Sequence, residues 1–303
     1  MYKILANDGM DQGAIDELIQ SGYEVENHFY EGDALVQKIK EIDCIVIRSA
    51  TKIRKPLIDE AVKAGKLKLI IRAGVGIDNI DHVYAKEQGL SVRNTPNSSS
   101  DAVAELTIGH MFSLARHLYI SNVTMREGKW NKKQYEGIEL AGKTLGLIGF
   151  GRIAKSVAKK AMALGMKVIY TDLYGPVKED LGCLYFEKER LLASSDFISL
   201  HIPFSKELGA TIGEKEFNMM KKGMYLINAA RGGVVDEEAL LVALDKGIVK
   251  KAALDVFMDE PTKNERIYTH ESISLSPHIG ASTIEAQERI GLETVEVIKE
   301  SLN

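Results

Sequence analysis

A glycine-rich turn between a strand and a helix constrains this chain more than any other feature. Thr144-Leu-Gly-Leu-Ile148 has the continuous apolar pattern of a buried parallel strand, Gly149-Phe-Gly151-Arg152-Ile153-Ala154 follows it, and an alanine-rich stretch runs on to Leu164 as a helix. In this G-x-G-x-x-A order the first glycine makes a tight turn and the second lets backbone approach a pyrophosphate. Ala154 lets the helix close on the strand. The N-terminus of that helix offers unpaired N–H groups to phosphates. The next strand, Lys167-Val-Ile-Tyr-Thr-Asp172, ends in an acid, close to the ~20-residue spacing at which a carboxylate accepts hydrogen bonds from an adenosine ribose. Leu-Tyr-Gly-Pro follows Asp172, with no Arg or Lys. A 2′-phosphate would therefore meet a carboxylate with no compensating cation, so the turn suits NAD rather than NADP.

Around this turn the chain repeats a βα rhythm. Strands are expected near 2–6, 23–29, 44–48, 67–72 and 90–94, with helices near 11–21, 33–40, 56–64 and 79–88, several closed by a glycine such as Gly22, Gly65 or Gly89. A second and larger array begins at Thr144 and adds strand candidates at 167–172, 197–201, 224–229, 252–257 and 273–276. Both arrays read as doubly wound parallel sheets, giving an α/β protein of two domains. Two long helical stretches, Ser98 to about Leu118 and Ser282 to Leu302, begin where an array ends and mark crossings between domains. On the first, His110 and His117 are spaced to share one face. The polar stretch Arg126 to Tyr135, which contains the single Trp, Trp130, reads as an exposed arm.

Charge and cysteine content exclude several function classes. With 39 Lys+Arg against 43 Asp+Glu the net charge is −4, which lacks the basic excess of a nucleic-acid or membrane-surface binder. No apolar run approaches the ~18 residues of a spanning helix, and the N-terminus carries no signal-peptide pattern, so a cytoplasmic protein is expected. Cys44 and Cys183 stand alone, which removes a structural zinc and a disulfide framework; no metal site is expected. Cys44 reads as core.

In open α/β sheets ligands gather outside the carboxyl ends of strands. Three successive strand candidates of the second array end in Arg231 of Ile227-Asn-Ala229-Ala230-Arg231-Gly-Gly, Glu260 of Asp255-Val-Phe-Met-Asp-Glu260-Pro, and His278 of Ser276-Pro-His278-Ile-Gly280. Arg231 can hold a carboxylate or a developing oxyanion in bidentate fashion. His278 can take a hydroxyl proton as hydride leaves the carbinol carbon, and Glu260 can orient the imidazole and stabilise its charged form. Each residue alone has a blander reading, Arg231 as a surface charge before a Gly-Gly turn, Glu260 as a solvated turn acid and His278 as a structural histidine near a proline; their placement after successive strands gives them a joint meaning. His201, in Ser199-Leu-His-Ile202-Pro203, also ends a strand and borders the expected cofactor.

These segments, with Arg72-Ala-Gly74-Val75-Gly76-Ile-Asp-Asn-Ile-Asp81, Asn94-Thr-Pro-Asn and Pro277-His-Ile-Gly-Ala-Ser-Thr283, resemble the NAD-dependent D-2-hydroxyacid dehydrogenases over essentially the whole chain. Within that family Val46-Ile-Arg48-Ser-Ala-Thr-Lys52, Ala104-Glu-Leu-Thr and Glu127-Gly-Lys-Trp130 are most similar to the phosphoglycerate dehydrogenases. The resemblance implies a Rossmann NAD-binding domain at 98–282, inserted in a smaller flavodoxin-like substrate domain of 1–97 plus 283–303. It implies that Arg231, Glu260 and His278 are catalytic. The amides of Gly74, Val75 and Gly76 would receive the substrate carboxylate, and Arg48 its phosphate end. Val75, Gly149, Gly151, Arg152, Ile153, Asp172, His201, Ile202, Pro203, Ala229, Ala230, Arg231, Asp255, His278 and Gly280 would line the cofactor. The arm with Trp130 resembles a dimer-forming segment, and its Lys132 and Lys133 would reach the partner subunit's phosphate site.

The activity so implied is NAD-dependent oxidation of 3-phospho-D-glycerate to 3-phosphohydroxypyruvate, the first step toward serine, in a homodimer paired through the NAD-binding domain. Reduction of glyoxylate or hydroxypyruvate keeps the chemistry and changes the substrate. An NAD-sensing binding protein on the same fold is the reading of another class. The chain ends at Asn303, just after the returning helix, so feedback control through the serine-binding domain of many relatives is not expected.

Overall fold

Continuous apolar runs such as Cys44-Ile-Val-Ile47 can be satisfied only where both faces of a strand are covered, and the computed structural model places them at the centres of parallel sheets. The structure describes residues 1–179 and 181–302; Asn303, the last residue of the expected substrate domain, lies outside the described residues. The chain divides into two compact units, Met1–Ser99 with Ala281–Asn303, and Ser100–Gly280. No helix among the described residues is long and apolar enough to cross a membrane.

The first unit carries β1 (Lys3–Ala6), β2 (Glu24–Asn27), β3 (Cys44–Ile47), β4 (Leu69–Arg72) and β5 (Ser91–Asn94). They pair in parallel in the order β2-β1-β3-β4-β5, with Val46 registered against Ala6 on one side and Ile71 on the other. Alternate residues point to opposite faces, so Leu5, Ile45, Ile47 and Ile70 join Ile39, Ile58 and Ala61 in one core. Ile4, Val46, Leu69 and Ile71 join Leu18, Ile290 and Ile298 in the other. The second core is completed by the C-terminal helix Ile284–Ser301, whose N-cap Thr283 accepts the Ala286 N–H at 3.1 Å. Cys44 is fully buried in this core.

The second unit carries β6 (Thr144–Ile148), β7 (Lys167–Thr171), β8 (Leu184–Tyr185), β9 (Phe197–Leu200), β10 (Met224–Asn228), β11 (Val249–Leu254) and β12 (Ile273–Leu275), all parallel in the order β12-β11-β10-β9-β6-β7-β8. One face packs Leu145, Leu147, Tyr170, Phe197 and Ile227 against the helices Ser100–Arg116 and Arg152–Ala163. The other packs Ile148, Ile198, Leu200, Leu226 and Leu254 against Leu191, Leu240 and Leu241.

Three local expectations change. The edge strand β8 has no signal, because two residues with Leu184 largely exposed carry no period. β11 starts at Val249, ahead of the expected 252, and ends at Leu254; Lys250 and Lys251 disguise its first half. Lys251 is nonetheless buried, and burial beside Lys250 lowers its pKa to about 8. The long helix stops at Arg116 and a separate helix, Leu118–Arg126, follows, with His117 between them in the left-handed region at φ 58°. His110 and His117 therefore share no helical face. No Gly or Pro marks the break; a tertiary contact holds it, since Lys251 Nζ donates to His117 Nδ1 at 2.7 Å.

Candidate active site

Strand order in the larger sheet reverses between β6 and β9, so the loops leaving these two strands diverge and open a crevice at their carboxyl ends. Gly149 enters that turn at φ 86°, and a Cβ there would lie 2.5 Å from the His201 carbonyl oxygen, so only glycine fits. Its N–H donates to Thr171 O at 2.9 Å. The helix Arg152–Ala163 starts at Gly151 without a side-chain cap, which leaves its first-turn N–H groups for a phosphate, and Ala154 is fully buried beneath. After β7, Asp172 accepts the Phe150 N–H at 2.7 Å on Oδ2 and the Tyr174 N–H at 3.0 Å on Oδ1. The carboxylate is thereby fixed at the edge of the turn and keeps lone pairs for two hydroxyls. These features fit an NAD molecule: a cradle that a Cβ would fill, an open helix start and an oriented carboxylate. After β9, His201 Nε2 lies 3.0 Å from Ser199 Oγ, and burial pushes the imidazole pKa down to about 4, so it is neutral at physiological pH. Ile202 and Pro203 continue this wall.

Asn228, the buried last residue of β10, builds the next loop. Its Oδ1 accepts the Ala230 N–H at 3.1 Å and its Nδ2 donates to Arg231 O at 3.0 Å, which curls Ala229, Ala230 and Arg231 over the strand end. A Cβ on Gly232 would sit 1.7 Å from Phe257 O, so the loops after β10 and β11 touch through backbone. The Phe257 N–H in turn donates to Glu260 Oε1 at 3.2 Å, and Glu260 Oε2 lies 2.7 Å from His278 Nδ1. Burial raises the Glu260 pKa, but the His278 ring, the Phe257 N–H and the charge of Arg231 outweigh it and hold the carboxyl below its ordinary value. An ionised carboxylate only accepts, so His278 Nδ1 carries a hydrogen, and it is Nε2 that holds the unshared pair whenever the ring is neutral. Asp255, just past β11, is fully buried; its carbonyl accepts the His278 N–H, and its carboxylate accepts the N–H groups of Ile279 and Gly280, each at 2.9 Å. His278 itself sits at φ 52°. An arginine, a buttressed carboxylate and an imidazole with a free lone pair thus stand beside a dinucleotide turn.

Residues 108–280 match the NAD-binding domain of the D-isomer specific 2-hydroxyacid dehydrogenases. The chain belongs to that family. It is 45% identical over 306 residues to a hydroxypyruvate reductase of Thermotoga maritima, covering 99% of this chain and 98% of that one. It is 43% identical over 305 residues to a D-3-phosphoglycerate dehydrogenase of Methanocaldococcus jannaschii, covering 100% of this chain and 58% of that protein's length. The crystal structure of an Aquifex aeolicus D-lactate dehydrogenase complexed with NAD and lactic acid superposes with a TM-score of 0.82 at 31% identity, covering 98% of this chain and 94% of that one. The protein is an NAD-dependent D-2-hydroxyacid dehydrogenase.

The remaining candidate residues of this dehydrogenase lie in the first unit and on the arm. Gly74, Val75 and Gly76 follow β4, and Arg48 follows β3. The loop after β3 is clamped from both sides: Asp8 Oδ2 accepts the N–H groups of Arg48 at 2.7 Å and Thr51 at 3.0 Å, and Asn79 Nδ2 donates to the carbonyls of both residues at 2.7 Å. The Arg48 guanidinium is half-buried and makes no hydrogen bond or ion pair among the described residues. Burial pushes its pKa down, with Asp8 partly offsetting this, and an arginine stays charged regardless. Lys132 and Lys133 are exposed on a one-turn helix, Lys132–Tyr135. Asn228, Asp8 and Asn79 had no place among the expected site residues. Their signal was faint: short polar residues at or beyond strand ends, which bind loop backbone as readily as ligand.

Proposed function

We propose that this dehydrogenase oxidises 3-phospho-D-glycerate to 3-phosphohydroxypyruvate, the first step toward serine, in the cytoplasm and as a homodimer. The observation that carries the substrate choice is the half-buried guanidinium of Arg48, which has no hydrogen-bond or ion-pair partner among the described residues and is held on a clamped loop. A charge partly withdrawn from water, with only the nearby Asp8 carboxylate to offset it, favours a ligand anion that completes it. The amides of Gly74, Val75 and Gly76 take the substrate carboxylate. His278 Nε2 accepts the hydroxyl proton, while Glu260 holds the ring through Nδ1 and stabilises the imidazolium that forms. Arg231 steadies the carbonyl oxygen as charge develops on it. NAD, when bound, supplies the acceptor for the hydride leaving the carbinol carbon.

Dimer formation rests on the helix Leu118–Arg126, which buries none of its residues: Leu118, Val123 and Met125 are each more than half exposed, and Trp130 is 77% exposed. Lys132 and Lys133 would then serve the partner's phosphate site.

A second reading, reduction of hydroxypyruvate, draws on the T. maritima relative, whose whole length this chain matches. The two are separated by kcat/KM with 3-phospho-D-glycerate against D-glycerate. A preference of ~100-fold for the phosphorylated acid is the size one charge-assisted site provides. Equal values would overturn the phosphate reading in favour of the second.

A further inference from the structure

We infer that His110 is a positioning residue for His278, acting through Ser276 and Asp255. This rests on the reading of His278 as the base. Ser276 Oγ donates to Asp255 Oδ1 at 2.6 Å, and the same carboxylate accepts the N–H groups of Ile279 and Gly280. The turn from Ser276 to Gly280 is thus wound around one buried carboxylate, with His278 at its crest in a left-handed conformation that a non-glycine residue keeps only when its surroundings hold it.

On its far side Ser276 Oγ lies 3.1 Å from His110 Nε2. A hydroxyl has one proton, and this one is committed to a carboxylate that has none to give. The contact must therefore be donated by His110 Nε2–H. Burial pushes the His110 imidazole pKa down, and the Asp255 charge offsets this only in part, so the ring is neutral with its single proton on Nε2. His110 is 6% exposed on the helix Ser100–Arg116, where an apolar side chain would pack at less desolvation cost. One helical turn away, Ser113 Oγ meets Ser274 Oγ at 3.2 Å, and Val103 packs on Gly280. The helix is therefore registered against β12 and the turn that follows. The His110–Ser276–Asp255 chain passes that register to the catalytic turn by directional bonds.

The test is kcat and KM for NAD in His110→Leu, His110→Gln, Ser276→Ala and the His110→Leu/Ser276→Ala double variant, each confirmed folded by its melting curve. Displacing a reacting group by a fraction of an ångström lowers turnover by ~10-fold or more. That loss is expected in His110→Leu and in Ser276→Ala, with KM for NAD changed less than ~2-fold. His110→Gln, which still offers an N–H, should restore most of it, and the double variant should be no worse than either single one, since both act on one path. Unchanged kcat with only a lower melting temperature would make His110 merely structural, and multiplicative losses would also overturn the inference. Should His110→Leu fail to fold, Ser276→Ala and His110→Gln decide it on their own. Failure of the underlying reading looks different: His278→Ala would then retain turnover, whereas an inactive His278→Ala beside His110 and Ser276 variants of normal kcat overturns only this inference.

Discussion

Glu260 Oε2 lies 2.7 Å from His278 Nδ1, with the two side chains 35% and 32% exposed. An ion pair that wet contributes at most about 1 kcal/mol to stability. Its value is directional: an acceptor-only carboxylate fixes the tautomer and leaves Nε2 able to take a proton. Each partner is held from its own loop, Glu260 by the Phe257 N–H and His278 by the backbone wound on Asp255.

Asp172 is expected to set cofactor affinity and identity. Asp172→Ala removes a charged acceptor and frees the Phe150 N–H, so NAD should bind ~10-fold or more weakly, the size of one lost charged hydrogen bond. Calorimetric titration with NAD and NADP checks this; an unchanged NAD affinity would take Asp172 out of the ribose site.

Gly232 is where the loops after β10 and β11 meet. A methyl group at that position must displace the Phe257 carbonyl, and overpacking of this kind costs about 1–3 kcal/mol. Gly232→Ala should lower both the melting temperature and kcat. A variant with wild-type values of both would mean that the loops part without consequence.

His201 gives the fold an acid limit. Its pKa is about 4 in the folded chain against ~6.5 unfolded, so between those values the unfolded chain binds the extra proton. The stabilisation is complete above pH ~6.5 and is lost as pH falls toward 4, by on the order of 3 kcal/mol. His110 and His117, whose pKa values are also lowered by burial, add in the same direction. Melting temperature measured from pH 7 to 4.5 should fall less steeply in His201→Gln than in the wild type; parallel curves would contradict this.

Arg48 should matter for one substrate and not for another. Arg48→Gln is expected to raise KM for 3-phospho-D-glycerate by ~10 to 100-fold while leaving that for D-glycerate within ~3-fold. Since the guanidinium has no partner among the described residues, the substitution should not lower the melting temperature. Equal changes for both acids would remove the phosphate role.

What the sequence disclosed follows from physics local to the chain. The Gly149 turn, Asp172 and the parallel arrays were legible because backbone conformation and periodicity demand particular residue types there. Arg231, Glu260 and His278 were visible as charged residues just past strands. The groups that hold them were not. Asn228 and Ser276 act on backbone or side chains brought near only by folding, and nothing in a single sequence tells a buttressing Asn or Ser from one in a turn. The break at His117 was hidden for the same reason, since the lysine that holds it stands on β11, far along the chain. Lys251 also hid the start of its own strand, because a buried lysine reads as surface.

The most direct measurement is turnover of His278→Ala set beside its NAD dissociation constant. Loss of a general base lowers kcat by ~10²–10⁴-fold. That loss is expected here with the NAD dissociation constant within ~3-fold of the wild type, because the proposed role sets the ring against the reacting hydroxyl and not the dinucleotide phosphates. Near-normal kcat in a folded, NAD-binding variant would contradict a role for His278 as the base.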